Sequence, residues 1–229
     1  MPCYGNIPEG DEIVAHWADD ERVTIINLLD DIGQPFSCDM WGNAGTTGIP
    51  IIIDDGCTDQ TAQMAIEAGA EVVSHDSNLG YDAALNSGFL CAHKKGCDFA
   101  ITMDADGQHN PNLLPVFIDA LDDGADVIIG VRDKMQRFSE HVFGIISGLL
   151  WGIRDPLCGM KAYRMELYSS LGHFDSYGSV GTEMAIYAAR EHKTIVQIPV
   201  LTCDRTDAPR FGQILDSNWR ILKALYHAL

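Results

Sequence analysis

The sequence has little positive charge, no closely paired cysteines and no long apolar run, and each absence excludes a class of protein. Its 229 residues include 15 Lys and Arg against 33 Asp and Glu, which gives a net charge of −18. Nucleic acid binding needs a basic surface, so we expect no nucleic acid partner. The seven cysteines are odd in number and form no Cys-x-x-Cys pair. This pattern argues against a zinc site or a disulfide framework and indicates a reducing compartment.

No stretch of about 18 apolar residues is present, so we expect no transmembrane helix. Residues 1–9 have neither the basic start nor the apolar core of a signal peptide. The length and the 46% hydrophobic content fit a single cytoplasmic domain spanning residues 1–229. Such an acidic chain could hold a diphosphate only with a bound metal ion or a few well-placed arginines.

Strands and helices alternate along most of the chain. Short apolar runs predict strands, and periodic segments between them predict helices, so we expect an α/β fold with a mostly parallel sheet flanked by helices. The strands are predicted at 49–53, 70–74, 99–103, 125–130 and 194–200, with a turn and strand over 155–164; the helices are predicted at 12–32, 58–68, 81–95, 111–121, 183–191 and 214–228. The apolar segment 138–151 fits either a core helix or a helix lying on a membrane surface.

Polar residues follow three of the predicted strands, and the carboxyl ends of parallel strands form the usual ligand site of such sheets. Asp54 and Asp55 follow one strand, and Arg132 ends another. Asp104 and Asp106 follow a third, and residues i and i+2 of an extended segment point the same way. Their oxygens suit Mg²⁺ or Mn²⁺. The sequence therefore predicts a hard-cation site at this sheet edge.

Simpler interpretations of these residues stay open. Asp54 and Asp55 could form a turn and cap the next helix, and Arg132 could make a surface ion pair with Asp133 instead of clamping a phosphate. His109 could be a metal ligand or a structural histidine. Lys161 and Arg164 are expected on a strand flank.

Five motifs in order resemble those of the family 2 glycosyltransferases of GT-A fold, and among them the polyprenyl-phosphate sugar synthases of the dolichyl-phosphate mannose synthase type. The motifs are residues 53–61 (IDDGCTDQT), 78–89 (NLGYDAALNSGF), 104–109 (DADGQH), 130–132 (GVR) and 155–164 (DPLCGMKAYR). The resemblance implies an inverting transferase that moves a sugar from a GDP- or UDP-sugar to a polyprenyl phosphate at the cytoplasmic membrane face.

The resemblance also implies roles for individual residues. It implies that the metal ligands are Asp104, Asp106 and Gln108. It places Asp54, Asp55, Gly80, Ala105 and Arg132 around the donor nucleotide, and it makes Arg210 a candidate for phosphate binding.

The chain departs from the family pattern at four places. Only residues 2–6 (PCYGN) resemble the end of the family's opening strand, so we expect that strand to be short or absent. Asp82 replaces a glycine or small residue, and the Ser-Lys pair expected after Arg210 is missing. Met184 stands where family members with sugar acceptors carry a catalytic aspartate, so Glu183 is either a substitute base or a first-turn helix acid.

Three hypotheses follow from the sequence. The first is transfer to a polyprenyl phosphate, which is already ionised and needs no base. The second is transfer to a glycan hydroxyl with Glu183 as the base. The third is a non-catalytic protein that binds nucleotide sugars.

Overall fold

A seven-stranded sheet organises the chain in the computed structural model, which describes residues 23–29, 49–58, 60–67, 69–104, 109–135, 137–202 and 214–229. The strands are β1 (Val23–Leu29), β2 (Ile49–Asp54), β3 (Glu71–Ser74), β4 (Phe99–Asp104), β5 (Val127–Arg132), β6 (Lys161–Arg164) and β7 (Ile195–Val200). Their order in the sheet is β3-β2-β1-β4-β6-β5-β7. Strand β6 is antiparallel to β4 and β5, and the other pairs are parallel, which confirms the predicted mostly parallel sheet.

The helices of the described residues connect these strands. They are α1 (Thr61–Glu67), α2 (Tyr81–Lys95), a 3₁₀ turn (Pro111–Leu113), α3 (Leu114–Asp122), α4 (Phe138–Trp151), α5 (Met165–Leu171), α6 (Glu183–Arg190) and α7 (Ile214–Ala228). All but α5 lie close to their predicted positions. The sequence analysis missed α5 because this short helix follows β6 without any intervening turn residue.

Two hydrophobic layers cover the two faces of the sheet, and successive side chains of β2 contribute alternately to one layer and the other. Ile52 packs with α1 and α3 on one face, whereas Ile51 and Ile53 pack with α2, α5 and α6 on the other. Helix α2 lies very close to β1, because a Cβ at Gly88 would come within 2.4 Å of the Ile26 side chain. A third cluster joins α4, α6 and α7.

The predicted helix over 12–32 is wrong for residues 23–29, which form β1. This strand pairs with β2 on one side and β4 on the other, and Ile26 is fully buried. The apolar residues of VTIINLL stand at positions 23, 25, 26, 28 and 29, and this spacing fits a helix as well as a strand. The structure describes β1 with seven residues, whereas the expectation of a short or absent opening strand concerned residues 2–6, which lie outside the described residues.

Helix α4 has one buried and one exposed apolar face. Phe143 and Ser147 are fully buried, whereas Phe138, Ile145 and Leu149 are between 64% and 81% exposed. The core interpretation of this helix thus holds for one face only. Among the described residues, no helix is long and apolar enough to cross a membrane.

Candidate active site

The three predicted groups of polar residues do share one edge of the sheet. Strands β2, β4 and β5 run in the same direction, so Asp54, Asp104 and Arg132 stand at their carboxyl ends. Strand β1 separates β2 from β4, and β6 separates β4 from β5. The parallel topology therefore gathers these residues, as predicted from the strand order.

Asp104 occupies the centre of this edge, and its side chain remains 36% exposed. Its carboxylate lies directly over the Cα of Gly159, because a Cβ at that glycine would stand 2.0 Å from Asp104 Oδ2. The Asp104 backbone N–H donates to Nδ1 of buried His109 at 3.3 Å, which favours the structural interpretation of this histidine.

A carboxylate that is partly exposed and seated in a glycine-lined space fits a hard divalent cation. Among the described residues, no group of three or more His, Cys, Asp or Glu side chains could hold a metal ion by itself. Ala105, Asp106, Gln108 and Arg210 lie outside those residues, so the predicted ligand set stays a prediction beyond Asp104.

Asp54 and Asp55 hold the turns that follow β2. Asp54 Oδ1 accepts the Cys57 N–H at 2.8 Å. Asp55, which is only 3% exposed, accepts the backbone N–H groups of Leu79 and Gly80 at 2.8 and 2.7 Å. The geometry thus matches the turn-forming alternative for both residues, and Asp55 also fixes the position of Gly80.

A histidine extends the network of Asp55 into helix α2. His75 Nδ1 lies 2.7 Å from Asp55 Oδ1, and His75 Nε2 lies 2.8 Å from Ser87 Oγ. Because Ser87 lies within the second turn of a regular helix, we regard this chain of contacts as a brace between β2 and α2.

Arg132 is bound by a buried carboxylate. Its Nε and Nη2 atoms donate to the two oxygens of Asp155 at 2.8 and 2.9 Å, and Glu140 lies 3.6 Å from Nη2. These carboxylates raise the pKa of Arg132 despite the opposing effect of burial. The alternative ion pair with Asp133 is wrong, since Asp133 accepts the N–H and O–H of Thr202 instead.

Glu183 begins α6, and its carboxylate is similarly engaged. It accepts the N–H and O–H of Ser176 at 2.6 and 2.7 Å, and His173 Nε2 lies 3.0 Å from Oε1. A carboxylate with this many partners is well suited to hold the preceding loop.

Lys161, which was expected on a strand flank, is the first residue of β6, and its burial was not predicted. It is 2% exposed, and its Nζ donates to the Gly181 carbonyl at 2.9 Å. Burial lowers its pKa to about 8, although the charges of Asp155 and Asp104 act in the opposite direction. The apolar neighbours Met160 and Ala162 in a central strand were the signal that this lysine is buried.

The mostly parallel sheet, with carboxylates at the carboxyl ends of β2 and β4, defines the class of the protein as an α/β fold of the kind that binds ligands at this edge. The sequence profile described as Glycosyl transferase family 2 matches residues 51–172. Because this match covers more than half of the chain, the protein belongs to that family and is a glycosyltransferase.

The relatives agree with this assignment. The chain is 27% identical over 160 residues to a dolichyl-phosphate hexose transferase of Haloferax volcanii. The matched stretch covers 66% of this chain and 68% of the relative. Among solved structures it resembles glucosyl-3-phosphoglycerate synthase from Mycobacterium tuberculosis. The complex of that enzyme with Mn²⁺ and uridine-diphosphate-glucose has a TM-score of 0.73 and 20% identity, and covers 91% of this chain and 79% of the other. The complex with phosphoglyceric acid has a TM-score of 0.72 and 22% identity, and covers 91% of this chain and 80% of the other. These structures show that the chain shares their fold, the GT-A fold of nucleotide-sugar transferases.

Proposed function

We propose that the protein is an inverting, metal-dependent hexosyltransferase that moves a sugar from a nucleoside-diphosphate sugar to a polyprenyl phosphate. The acceptor phosphate would attack the anomeric carbon from the face opposite the diphosphate, while the bond to the leaving diphosphate breaks. The relative named dolichyl-phosphate hexose transferase supports this acceptor.

The state of Glu183 is the observation that carries the choice of acceptor. A sugar hydroxyl must lose a proton to a base, whereas a phosphate oxygen is already ionised at neutral pH. Glu183 is the base candidate from the sequence, yet its carboxylate is taken up by Ser176 and His173. An acceptor that needs no base fits this geometry better.

Asp104 would hold a divalent metal together with Asp106 and Gln108. When bound, Mg²⁺ or Mn²⁺ would neutralise the charge that develops on the leaving diphosphate. We propose Mn²⁺ as the first cation to test, because a protein of the same fold is described in complex with Mn²⁺ and uridine-diphosphate-glucose.

Arg132 and Arg210 are the proposed cations for phosphate groups. The Arg132 guanidinium is held in one orientation by Asp155 and Glu140, so it can meet a ligand without first being ordered. The proposed location of the reaction is the cytoplasmic membrane face, where a lipid phosphate acceptor would be available.

The direct test is lipid transfer by the purified protein. Labelled UDP- and GDP-hexoses are incubated with Mn²⁺ and polyprenyl phosphate, and label in the extracted lipid is counted. We expect transfer with at least one donor, and a loss of about 100-fold or more in Asp104→Asn, equivalent to about 3 kcal/mol of transition-state stabilisation. The matched control is Asp119→Asn at an exposed position of α3, which should keep full activity. Absence of lipid product in the wild type, or full activity in Asp104→Asn, would refute the proposal.

Transfer to a glycan hydroxyl is the second candidate, because Glu183 lies at the start of α6 and could accept a proton if its loop contacts opened. Under this hypothesis Glu183→Gln abolishes transfer while donor binding is unchanged. Under the leading proposal the same variant transfers to polyprenyl phosphate within about threefold of wild type. Ser176→Ala serves as the control for loss of a loop contact alone.

A further inference from the structure

Helix α2 presents two polar side chains, Asp82 and Asn86, to the loop that joins α5 to α6. They are four residues apart, so they lie one above the other on the same face of the helix. The loop comprises residues 172–182, and we call it the 172–182 loop. The hydrogen bonds of Asp82 and Asn86 to this loop join residues that are 88 to 99 positions apart in the sequence.

Asn86 holds the start of this loop with both ends of its amide group. Its Oδ1 accepts the backbone N–H of Phe174 at 2.9 Å and of Asp175 at 3.2 Å. Its Nδ2 donates to the Asp175 carbonyl at 2.8 Å. One side chain thus binds the first part of the loop through three hydrogen bonds.

Asp82 holds the other end of the loop. Its Oδ1 accepts the Gly181 N–H at 2.8 Å in a buried environment. The carbonyl of the same glycine accepts from buried Lys161 on β6. Gly181 is therefore fixed from two sides, by a carboxylate and an ammonium group that are both buried.

The backbone between these two anchors adopts a conformation that needs support. Val180 has a φ of 55°, which is rarely adopted by a β-branched residue. Within the loop, Asp175 accepts the N–H groups of Gly178 and Ser179 at 2.9 and 2.6 Å. Backbone strain of this kind persists only where surrounding contacts determine it, and it occurs often at functional sites.

The 172–182 loop also lies between the sheet edge and the α4–α7 unit. Gly181 packs against Tyr81, whose pKa is raised by burial and by the negative charges of Asp104 and Asp82. On its other side the loop places Val180 against the apolar cluster of α4, α6 and α7. It thus connects the Asp104 site with the helices that carry the exposed apolar face.

We propose that Asp82 and Asn86 are positioning residues that hold the 172–182 loop as a fixed wall of the substrate site, on the side from which the lipid acceptor enters. The acceptor side of this proposal rests on the proposed function. The wall itself rests on the contacts of Asp82, Asn86 and Lys161.

Hydrogen exchange tests the wall without substrate. In Asp82→Ala and Asn86→Ala, peptides covering residues 172–182 should exchange about tenfold faster than in wild type, because their amides lose buried partners. In Asp82→Asn the loop should stay protected, since the amide oxygen can still accept from Gly181. Peptides from α1 are the internal control. The control variant is Ser170→Ala, because the Ser170 hydroxyl donates to the Glu166 carbonyl within α5. Unchanged exchange in both alanine variants would overturn the proposal.

Kinetics test the role of the wall in the reaction. Misplacing a positioning group costs about tenfold to 100-fold in rate, so kcat/KM for polyprenyl phosphate should fall by that factor in both alanine variants. The KM for the donor should change less than about threefold, and Asp82→Asn should recover most of the activity. A loosened loop with unchanged acceptor kinetics would overturn the positioning role. If the wild type transfers nothing to lipid, the proposed function fails, and the exchange experiment still decides whether α2 holds the loop.

Discussion

At the scale of single residues, the contact between Asp104 and Gly159 carries a prediction about metal binding. A methyl group at Gly159 would overlap the Asp104 carboxylate, so Gly159→Ala should displace that side chain. We expect the Mn²⁺ affinity to fall by about tenfold, because a displaced ligand must be moved back at a cost of about 1–2 kcal/mol. Mn²⁺ titration by calorimetry measures this without any turnover.

Gly148→Ala is the matched control for this variant. A Cβ at Gly148 would meet its nearest neighbour, the Ile153 carbonyl, at 3.8 Å, which is an ordinary contact. It should leave Mn²⁺ affinity unchanged. Equal affinity in Gly159→Ala and wild type would show that Asp104 does not contribute to the metal site.

The pKa of Asp82 gives a second prediction at this scale, for stability. Burial, followed by the charge of Asp175, raises the pKa of Asp82 to about 6, although the Gly181 and Val180 amides and Arg220 on α7 oppose this shift. A raised folded-state pKa means that the carboxylate destabilises the fold above about pH 6, and that stability is regained as the pH falls from 6 towards 4.

Asp82→Asn should therefore stabilise the protein at pH 7.5 by about 1–3 kcal/mol and have little effect near pH 4.5. Urea unfolding at the two pH values checks this. Asp98→Asn, an exposed aspartate, provides the comparison. A variant that is less stable than wild type at pH 7.5 would show that the stronger hydrogen bond to the charged carboxylate outweighs the relief of desolvation.

The sequence identified which residues lie at the sheet edge but not what they bind. Asp55, Arg132 and Glu183 were chosen for their type and position; Asp55 follows β2, Arg132 ends β5 and Glu183 begins a helix. Their partners come from segments between 7 and 25 residues away, and no local pattern specifies such contacts. Asp82 shows the same limit over a longer distance, because its departure from the family pattern was visible but its contact with Gly181 was not.

At the scale of elements, the sequence predicted the helices and strands from residue 49 onwards, except α5, because their periodicities are distinct. It was wrong about β1, where Val23, Ile26 and Leu29 have helical spacing within a short, mostly apolar segment that also fits a strand. Only the pairing with β2 and β4, on both sides of the strand, decides between the two structures. For α4 the sequence left a core and a membrane-surface environment open, and in the structure one face of the helix is buried while the other is exposed.

The exposed apolar side chains of α4 and α7 predict a membrane-binding face. Ile145 and Leu149 on α4 and Trp219 and Tyr226 on α7 are between 64% and 81% exposed, and α4 packs against α7. Exposed Lys223 lies one turn from Trp219 and from Tyr226 along α7. Aromatic and basic residues on an amphipathic surface are typical of helices that lie at a lipid interface.

Substitution of Leu149 by glutamate tests this face. Because burying a leucine side chain contributes about 1.5–3 kcal/mol, Leu149→Glu should weaken binding to liposomes containing anionic lipid by about tenfold or more. Cosedimentation measures the bound fraction. The matched control is Val116→Glu, at an exposed position of α3. Equal binding of both variants and the wild type would exclude this face as the membrane contact.

At the scale of the whole molecule, the charge and the architecture act in opposite directions on an anionic donor. The chain carries a net charge of −18, whereas the site edge includes two cations, the partly buried Arg132 and the buried Lys161. Those cations face the carboxylates of Asp155 and Asp104, so the local charge is largely balanced. The long-range field that a nucleoside-diphosphate sugar meets on approach is consequently negative.

Salt should therefore accelerate donor capture. Surface charges are screened beyond about 8 Å at physiological ionic strength and beyond about 30 Å at 0.01 M, so repulsion of the donor weakens as salt is added. At saturating Mn²⁺ we expect kcat/KM for the donor to rise by about two- to fivefold between these conditions. In contrast, kcat at saturating donor should stay constant, since the approach of the donor no longer limits the rate. A fall in kcat/KM with salt would instead mean that local cations attract the donor more strongly than the acidic surface repels it.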